Sequence, residues 1–488
     1  MPHAAHAAHT AMTTLMMLDD DLLFRRDNTI RRYGDPQLVA DAVYADPHFS
    51  TVWPSPWVFR LADGRYRMLY LGASRQDLKQ HWLLGAISAD GVHFTPEDYT
   101  GLLPDSPRIA GNAIMPLGED EIGTIFEDPY AASPDERYRM LTTRLVTTAK
   151  DDPEVYYART IIHVSGDLLH WTCLPIETPM RTEPLMSAFH NHDRKCMTLV
   201  HRPWCGVRKV GIRQTTDWRH YSDYELVMQA DAMDAPLSEI YGITAFPYHG
   251  IYLGLPHIYS GANPGRCLKF FGGTIQEQLA YSMDGCHWFR SLRTPFISGG
   301  EGRRQGLPEY KMVWATSVRE FDDGGLAIHA CASEDEHGSA FHNPDARSCM
   351  LVYRLRKDGF VRLATADPGK PSVVAIRECI WHGGHPHWNL RAANATVAVY
   401  GPGHDNSQGY LEPVAGFSHD DCIPFTGDST DWTPQYRGRQ SVESLAGNIL
   451  CFEIRFEKGD LYSFSGNATI VFAMDAARYF FTGRLPGR

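Results

Sequence analysis

Ser88-Ala-Asp90-Gly91-Val-His93-Phe94 is followed downstream by Ser165-Gly-Asp167-Leu-Leu-His170-Trp171, Thr215-Thr-Asp217-Trp-Arg-His220-Tyr221 and Ser282-Met-Asp284-Gly285-Cys-His287-Trp288. A degraded fifth copy reads Arg356-Lys-Asp358-Gly359-Phe360. Successive copies lie about 50 to 80 residues apart, which suits one four-stranded propeller blade with insertions. Asp-Gly favours the positive φ angles of a tight two-residue turn. The aromatic after it opens the next strand and can pack between blades. Short strands rich in β-branched and aromatic residues precede the copies. Trp57-Val-Phe-Arg60 and Tyr66-Arg-Met-Leu-Tyr70, joined by Ala62-Asp63-Gly64, are examples. The competing reading is a set of unrelated Asp-Gly hairpins in an all-β chain. Five copies predict a five-bladed β-propeller over residues 20–366.

Past Ala366 the blade motif ends. Strand-like runs at Thr396–Tyr400 and Ile449–Phe456 are separated by Gly401-Pro402-Gly403 and Gly416. This predicts a C-terminal β-sandwich over 367–488. Residues 1–19 carry histidines, alanines and a short apolar run, Met12 to Leu18, that meets Asp19, Asp20 and Asp21. Without a basic n-region this reads as a flexible leader, not a signal peptide.

The chain has 488 residues, 43% hydrophobic and 21% charged, enough for a large core. No segment reaches the roughly 18 apolar residues of a membrane helix. A net charge of −12 disfavours nucleic-acid binding, which needs concentrated Lys and Arg. Ten cysteines occur without a C-x-x-C pair, against a zinc ribbon or a dense disulfide framework. Buried, reduced thiols and a cytoplasmic location are expected. No nucleic-acid or membrane partner is expected, and the oligomeric state is not legible.

Several segments resemble the group of proteins similar to the N-terminal domain of glycoside hydrolase family thirty-two, related to family forty-three. They are Phe126-Glu-Asp128-Pro129 with Pro134-Asp-Glu136-Arg137-Tyr138, and Ser238-Glu239-Ile-Tyr241-Gly242 leading into Phe246-Pro-Tyr248. In the C-terminal part they are Gly416-Phe417-Ser418, Asp420-Asp421-Cys422 and Leu461-Tyr462-Ser463-Phe464. The resemblance implies a five-bladed propeller whose catalytic carboxylates face a central funnel. The implied activity is glycoside hydrolysis of a small or terminal glycan, including furanosides such as fructosides or arabinosides. That chemistry needs one protonated carboxyl and one ionised carboxylate across the scissile bond. A non-catalytic carbohydrate-binding propeller is the alternative, as is a transferase or lyase acting on a sugar-like metabolite.

The catalytic candidates are Asp128, Glu239, Asp46 and Glu309. Asp128 is similar to the Asp of the family Arg-Asp-Pro motif, with Glu127 in place of Arg, which implies transition-state stabilisation. Glu239 precedes an apolar run read as an inner strand, suiting a general acid. The first blade starts at Trp53-Pro-Ser-Pro-Trp57, without a carboxylate, so Asp46 upstream or Glu309 before the fifth blade would be nucleophile or base. Glu183 is a weaker candidate. Trp53, Tyr241, Tyr310 and Trp314 offer faces to a sugar, and Arg303 with Arg304 offers hydroxyl or anion contacts. No cofactor is expected beyond a structural Ca²⁺ in the central channel, which the resemblance allows and which His329 or His337 would approach. His190-Asn-His192-Asp193 and Glu334-Asp-Glu336-His337 hold ligand types at short spacing but match no zinc pattern.

Overall fold

The computed structural model describes residues 13–50, 55–75, 77–103, 110–147, 156–178, 187–203, 207–261, 272–337, 348–402, 411–438, 441–471 and 473–482. The protein is all-β, with one short α-helix among the described residues, Ala473–Thr482. Among the described residues no helix is long and apolar enough to cross a membrane. The chain forms two units. One is Pro36–Leu355; the other combines Met1–Asp35 with Arg356–Arg488.

Pro36–Leu355 is a succession of antiparallel meanders. Trp57–Arg60, Tyr66–Ala73, His81–Ser88 and Thr95–Pro96 form the first, with Ala113–Gly118 also on the third strand. Glu121–Glu127, Tyr138–Thr147, Tyr156–Ser165 and Thr172–Thr178 form the next. Then come Ser187–Asn191, Cys196–His201, Val210–Thr215 and Glu225–Met228. In the fourth, Ser238–Tyr248 and Ile251–Ser260 are followed by a third strand in two pieces, Thr274–Glu277 and Ala280–Ser282. The last holds Met312–Glu320, Leu326–Ser333 and Ser348–Leu355, and takes Gln37–Leu38 as its outer strand. A parallel pairing of Ile275 with Met312 joins the last two meanders into one sheet.

The first strands make a closed circuit. Trp57–Arg60 lies against Glu121–Glu127, and the contact passes on to Ser187–Asn191, Ser238–Tyr248 and Met312–Glu320, which returns to Trp57–Arg60. Hydroxyls tie these strands together. Ser187 Oγ donates to the Ile243 carbonyl (2.8 Å), Thr244 Oγ1 to Ala315 (2.7 Å) and Thr316 Oγ1 to Pro56 (2.6 Å). Second strands are covered on both faces, so they read as unbroken apolar runs rather than alternating ones. Every residue of Tyr66–Ala73 and of Leu326–Ser333 is buried.

The repeated motif is the turn after the third strand. Ser88 Oγ accepts from the Gly91 amide (2.9 Å), and Asp90 Oδ1 accepts from the amides of Val92 (2.9 Å) and His93 (2.8 Å). His93 Nδ1 meets Asp90 Oδ2 at 2.8 Å. Ser165/Asp167/His170, Thr215/Asp217/His220 and Ser282/Asp284/His287 build the same turn, with His–Asp distances of 2.7 Å. The residue after each Asp is left-handed: Gly91 (φ 73°), Leu168 (68°), Trp218 (61°) and Gly285 (73°). The expected two-residue turn is therefore a longer one closed by side chains. That closure lets Leu and Trp occupy a conformation that normally favours glycine.

Each turn docks on the preceding meander. Arg67 Nη1 donates to the Asp167 carbonyl (3.2 Å), Trp218 Nε1 to Asp128 (3.0 Å) and Asn191 Nδ2 to the Asp284 carbonyl (2.7 Å). His329 Nε2 meets the Gly91 carbonyl at 2.8 Å and links the last meander to the first.

The other unit is a 12-stranded sheet over a core that includes Trp381, Trp388, Phe452 and Phe464. Both chain ends build it. Thr13–Met16 pairs with Asp460–Gly466, Leu23–Asp27 with Ser372–Ile376, and Thr29–Tyr33 with Val361–Thr365. This corrects the expected boundaries. Residues 13–19 are not wholly a leader, residues 20–35 do not belong with the meanders, and the division falls after Leu355 rather than at 366. These early strands carry no motif, and their partners lie far along the chain, so local pattern could not place them. The fifth motif copy also lies in this unit. Asp358 is buried and accepts from Ser463 Oγ (2.6 Å); lacking the Ser and His of the motif, it does not build the turn.

Candidate functional site

Strand direction sorts the candidate residues into two ends of Pro36–Leu355. The motif turns follow third strands, so they mark the end where first strands finish. Asp128 sits there, directly after Glu121–Glu127, closing that strand rather than opening it. Its carboxylate is buried. Oδ2 accepts from Arg139 Nε (2.7 Å) and Trp218 Nε1 (3.0 Å), and Oδ1 from the Tyr130 amide (3.0 Å). Arg139 lies 4.7 Å above the Trp218 ring and also donates to Glu136 (3.0 Å). Asp128 is thus a latch between neighbouring meanders.

Asp46 lies before the first meander, and both of its oxygens are committed. Oδ1 accepts from the amides of His48 (2.7 Å) and Phe49 (2.8 Å), and Oδ2 from Tyr70 Oη (2.6 Å) and Asn112 Nδ2 (2.8 Å). Tyr44 Oη meets Tyr70 Oη at 2.8 Å. Burial pushes both phenols well above the ordinary tyrosine range. This network pins the 44–50 segment to the Tyr66–Ala73 strand.

The opposite end, where first strands begin, carries a cluster in which Glu239 and Arg208 are partly exposed while Tyr241, Tyr259, Arg202 and His337 are buried. Glu239 accepts from Arg208 Nη1 at 2.6 Å, with side chains 23% and 18% exposed. The Arg208 guanidinium lies 4.6 Å from the Tyr259 ring and 5.3 Å from the Tyr241 ring, and Arg202 lies 4.7 Å from Tyr241. His337 Nε2 meets Tyr241 Oη at 2.9 Å. Tyr241 sits at a register shift between Ile240 and Gly242. The cluster offers solvent one carboxylate and one guanidinium, groups that can contact sugar hydroxyls; Tyr241 and Tyr259 share a buried core cluster with Trp314, so Tyr241 is corrected from a sugar platform to a residue that backs Arg208.

Glu309 starts the neighbouring meander at the same end, beside Met312–Glu320. It is half-exposed, paired with Arg303, with Lys311 Nζ at 3.6 Å. Glu239 therefore lies at the start of one first strand and Glu309 just before the next, whereas Asp46 and Asp128 are held elsewhere. Trp314 and Tyr310 are corrected from sugar platforms to core. Trp314 is fully buried and donates to Ser55 Oγ (3.2 Å), and Tyr310 is packed with its hydroxyl 3.4 Å from Cys349 Sγ. Both lie between strands covered on two faces. Trp53 and Glu183 fall outside the described residues.

The structural Ca²⁺ expected in the central channel would be held by oxygen donors. It takes about six to eight oxygen ligands. Among the described residues no three His, Cys, Asp or Glu side chains are grouped to hold a metal. His329 and His337 present ring nitrogens already engaged by Gly91 and Tyr241.

Sequence reasoning missed Arg208, Tyr259 and Arg202, whose nearness to Glu239 is purely tertiary. It also missed Glu277, a fully buried carboxyl that accepts from His257 Nδ1 (2.7 Å) and the Ala315 amide (2.5 Å), where the first strand of the last meander bulges. Burial raises its pKa above the usual glutamate value, and its isolation from solvent gives it a structural role. The eight described cysteines are unpaired, and all but Cys173 are buried.

No family model matches the chain, and no curated protein matches it. Solved structures do. A fructofuranosidase from Schwanniomyces occidentalis complexed with fructosylnystose is 11% identical, covering 90% of this chain and 98% of its own, with a TM-score of 0.42. A glycosyl hydrolase from Bacteroides ovatus is 13% identical, covering 67% and 96%, with a TM-score of 0.41. An N-acetylgalactosamine deacetylase from F. plautii, in complex with blood group B trisaccharide, is 14% identical, covering 67% and 95%, also at 0.41. The solved structures similar to this chain thus include glycoside hydrolases.

Proposed function

We propose that the meanders of Pro36–Leu355 are the blades of a five-bladed β-propeller, that the other unit is an accessory β-sandwich, and that the protein is a glycosidase. Its substrate is a small or terminal glycan, with a furanoside such as a fructoside or arabinoside as first choice. Glu239 is the proton-donating carboxyl and Glu309 the second carboxylate, with the partly exposed Arg208 beside Glu239 to meet sugar hydroxyls. The observation that carries this reading is the partly exposed Glu239, set among Arg208, Tyr241 and Tyr259 where the first strands begin. Positioned acid–base groups contribute about 10² to 10⁴ in rate. The test is release of sugar from aryl glycosides and short oligosaccharides. Glu239→Gln is expected to lower kcat by about 10² or more with unchanged thermal stability. A fully active Glu239→Gln would overturn the assignment.

A carbohydrate-binding protein without turnover is the second reading. It is favoured by the commitment of Asp46 and Asp128 to hydrogen bonds inside the fold. Calorimetric binding of a glycan that no assay shows being cleaved would select it.

A further inference from the structure

His190 and His192 flank Asn191 at the finish of the Ser187–Asn191 strand, at the end away from Glu239. His190 is on the strand and His192 opens the turn that follows it. Their Nδ1 atoms lie 3.2 Å apart. Two ligand nitrogens on a tetrahedral zinc, each at about 2.0–2.1 Å, are separated by about 3.3–3.4 Å. The fork is built on fixed backbone. Asn191 is fully buried, donating to the Asp284 carbonyl (2.7 Å) and accepting from the Arg194 amide (2.9 Å). The His192 amide donates to Tyr252 Oη (2.8 Å). Tyr130 covers the His190 ring at a centroid distance of 3.9 Å. His190 is buried and His192 exposed, so a ligand between them has one protein-facing and one solvent-facing side.

We propose that His190 and His192 chelate a divalent first-row transition metal through their Nδ1 atoms. Imidazole pairs suit Zn²⁺, Ni²⁺ and Cu²⁺ rather than Ca²⁺. Two positions come from the protein. The others are filled by water or by oxygen donors of a bound molecule, since no third His, Cys, Asp or Glu joins the group among the described residues. Chelation requires both Nδ1 lone pairs, hence the Nε2–H tautomer of both rings.

The test is a calorimetric titration of the full chain with ZnCl₂ at pH 7, repeated on His192→Ala and on His192→Gln. His192 is exposed, so neither variant threatens the fold, and circular dichroism checks this. The chain has other surface histidines, so the readout is the difference between proteins. Wild type is expected to bind one equivalent more than either variant, or to bind that equivalent about tenfold more tightly or better. Excess CaCl₂ should leave the difference intact. Identical stoichiometry and affinity in wild type and both variants would overturn the proposal, leaving an N–H···N bond between the two imidazoles. The readout is independent of glycosidase activity, so failure of either idea leaves the other standing.

Discussion

Asp128 shows how far one residue can be read. Its Asp-Pro context marks it as constrained, and it is, but its partner Trp218 stands 90 residues away in sequence. Only tertiary structure reveals that the constraint is a latch. Removing one member of a buried ion pair strands the other charge and costs about 3–5 kcal/mol. Asp128→Ala should therefore lower the free energy of unfolding by that amount, read from the shift of the urea midpoint at constant slope. Any loss of activity in the folded fraction should be small beside the loss in Glu239→Gln. A variant as stable as wild type would show that Arg139 and Trp218 find other partners. Asp46 follows the same logic. Both residues were legible as special because short polar groups next to Pro stand out, whereas Glu239's setting among Arg208 and Tyr259 was not, because nothing local links them.

The motif turn is the element in which sequence and structure agree most closely, since its bonds all fall within six residues. What the pattern could not give was its geometry. Asp-Gly suggested a minimal hairpin turn, while the Ser and His that also recur are the groups that close a longer one. The His–Asp pair gives each turn a pH signature. Although burial raises it, hydrogen bonds from His93 and nearby amides draw the Asp90 carboxyl below its ordinary value, and the Asp167 carboxyl falls to about 2 for matching reasons. His93 and His287 are raised by Asp90 and Asp284. A depressed acid adds stability above its unfolded value of 3.8, lost as pH falls through the folded value. A raised histidine adds stability below 6.5, lost as pH rises through the folded value. The turns are therefore strongest between those limits. Wild type should lose Tm between pH 6 and 8, and the double variant His93→Gln, His287→Gln should flatten that fall. Parallel profiles for the two proteins would show that the pairs are too solvent-screened to matter.

At the scale of the whole molecule, chain connectivity decides what can be cut. Repeats announced the meanders, and their absence after 366 announced a second unit, but neither revealed that the second unit borrows the chain's beginning. Strand pairing explains the failure. An antiparallel neighbour can come from any distance in sequence, and the alternation in Leu23–Asp27 or Thr29–Tyr33 names no partner. The consequence is measurable. A fragment ending at the motif-based boundary, 20–366, keeps Thr29–Tyr33 paired with Val361–Thr365 but deprives both Leu23–Asp27 and the second edge of Val361–Thr365 of their partners, Ser372–Ile376 and Asp460–Gly466. Unpaired strand edges template aggregation. A fragment 36–355 instead retains every pairing of its meanders, including Gln37–Leu38 on Ser348–Leu355. The expected outcome is that 36–355 elutes as a monomer and melts cooperatively, while 20–366 aggregates. The reverse result in size-exclusion chromatography would mean that residues 20–35 and 356–366 stabilise the meanders more than their sheet partners stabilise them.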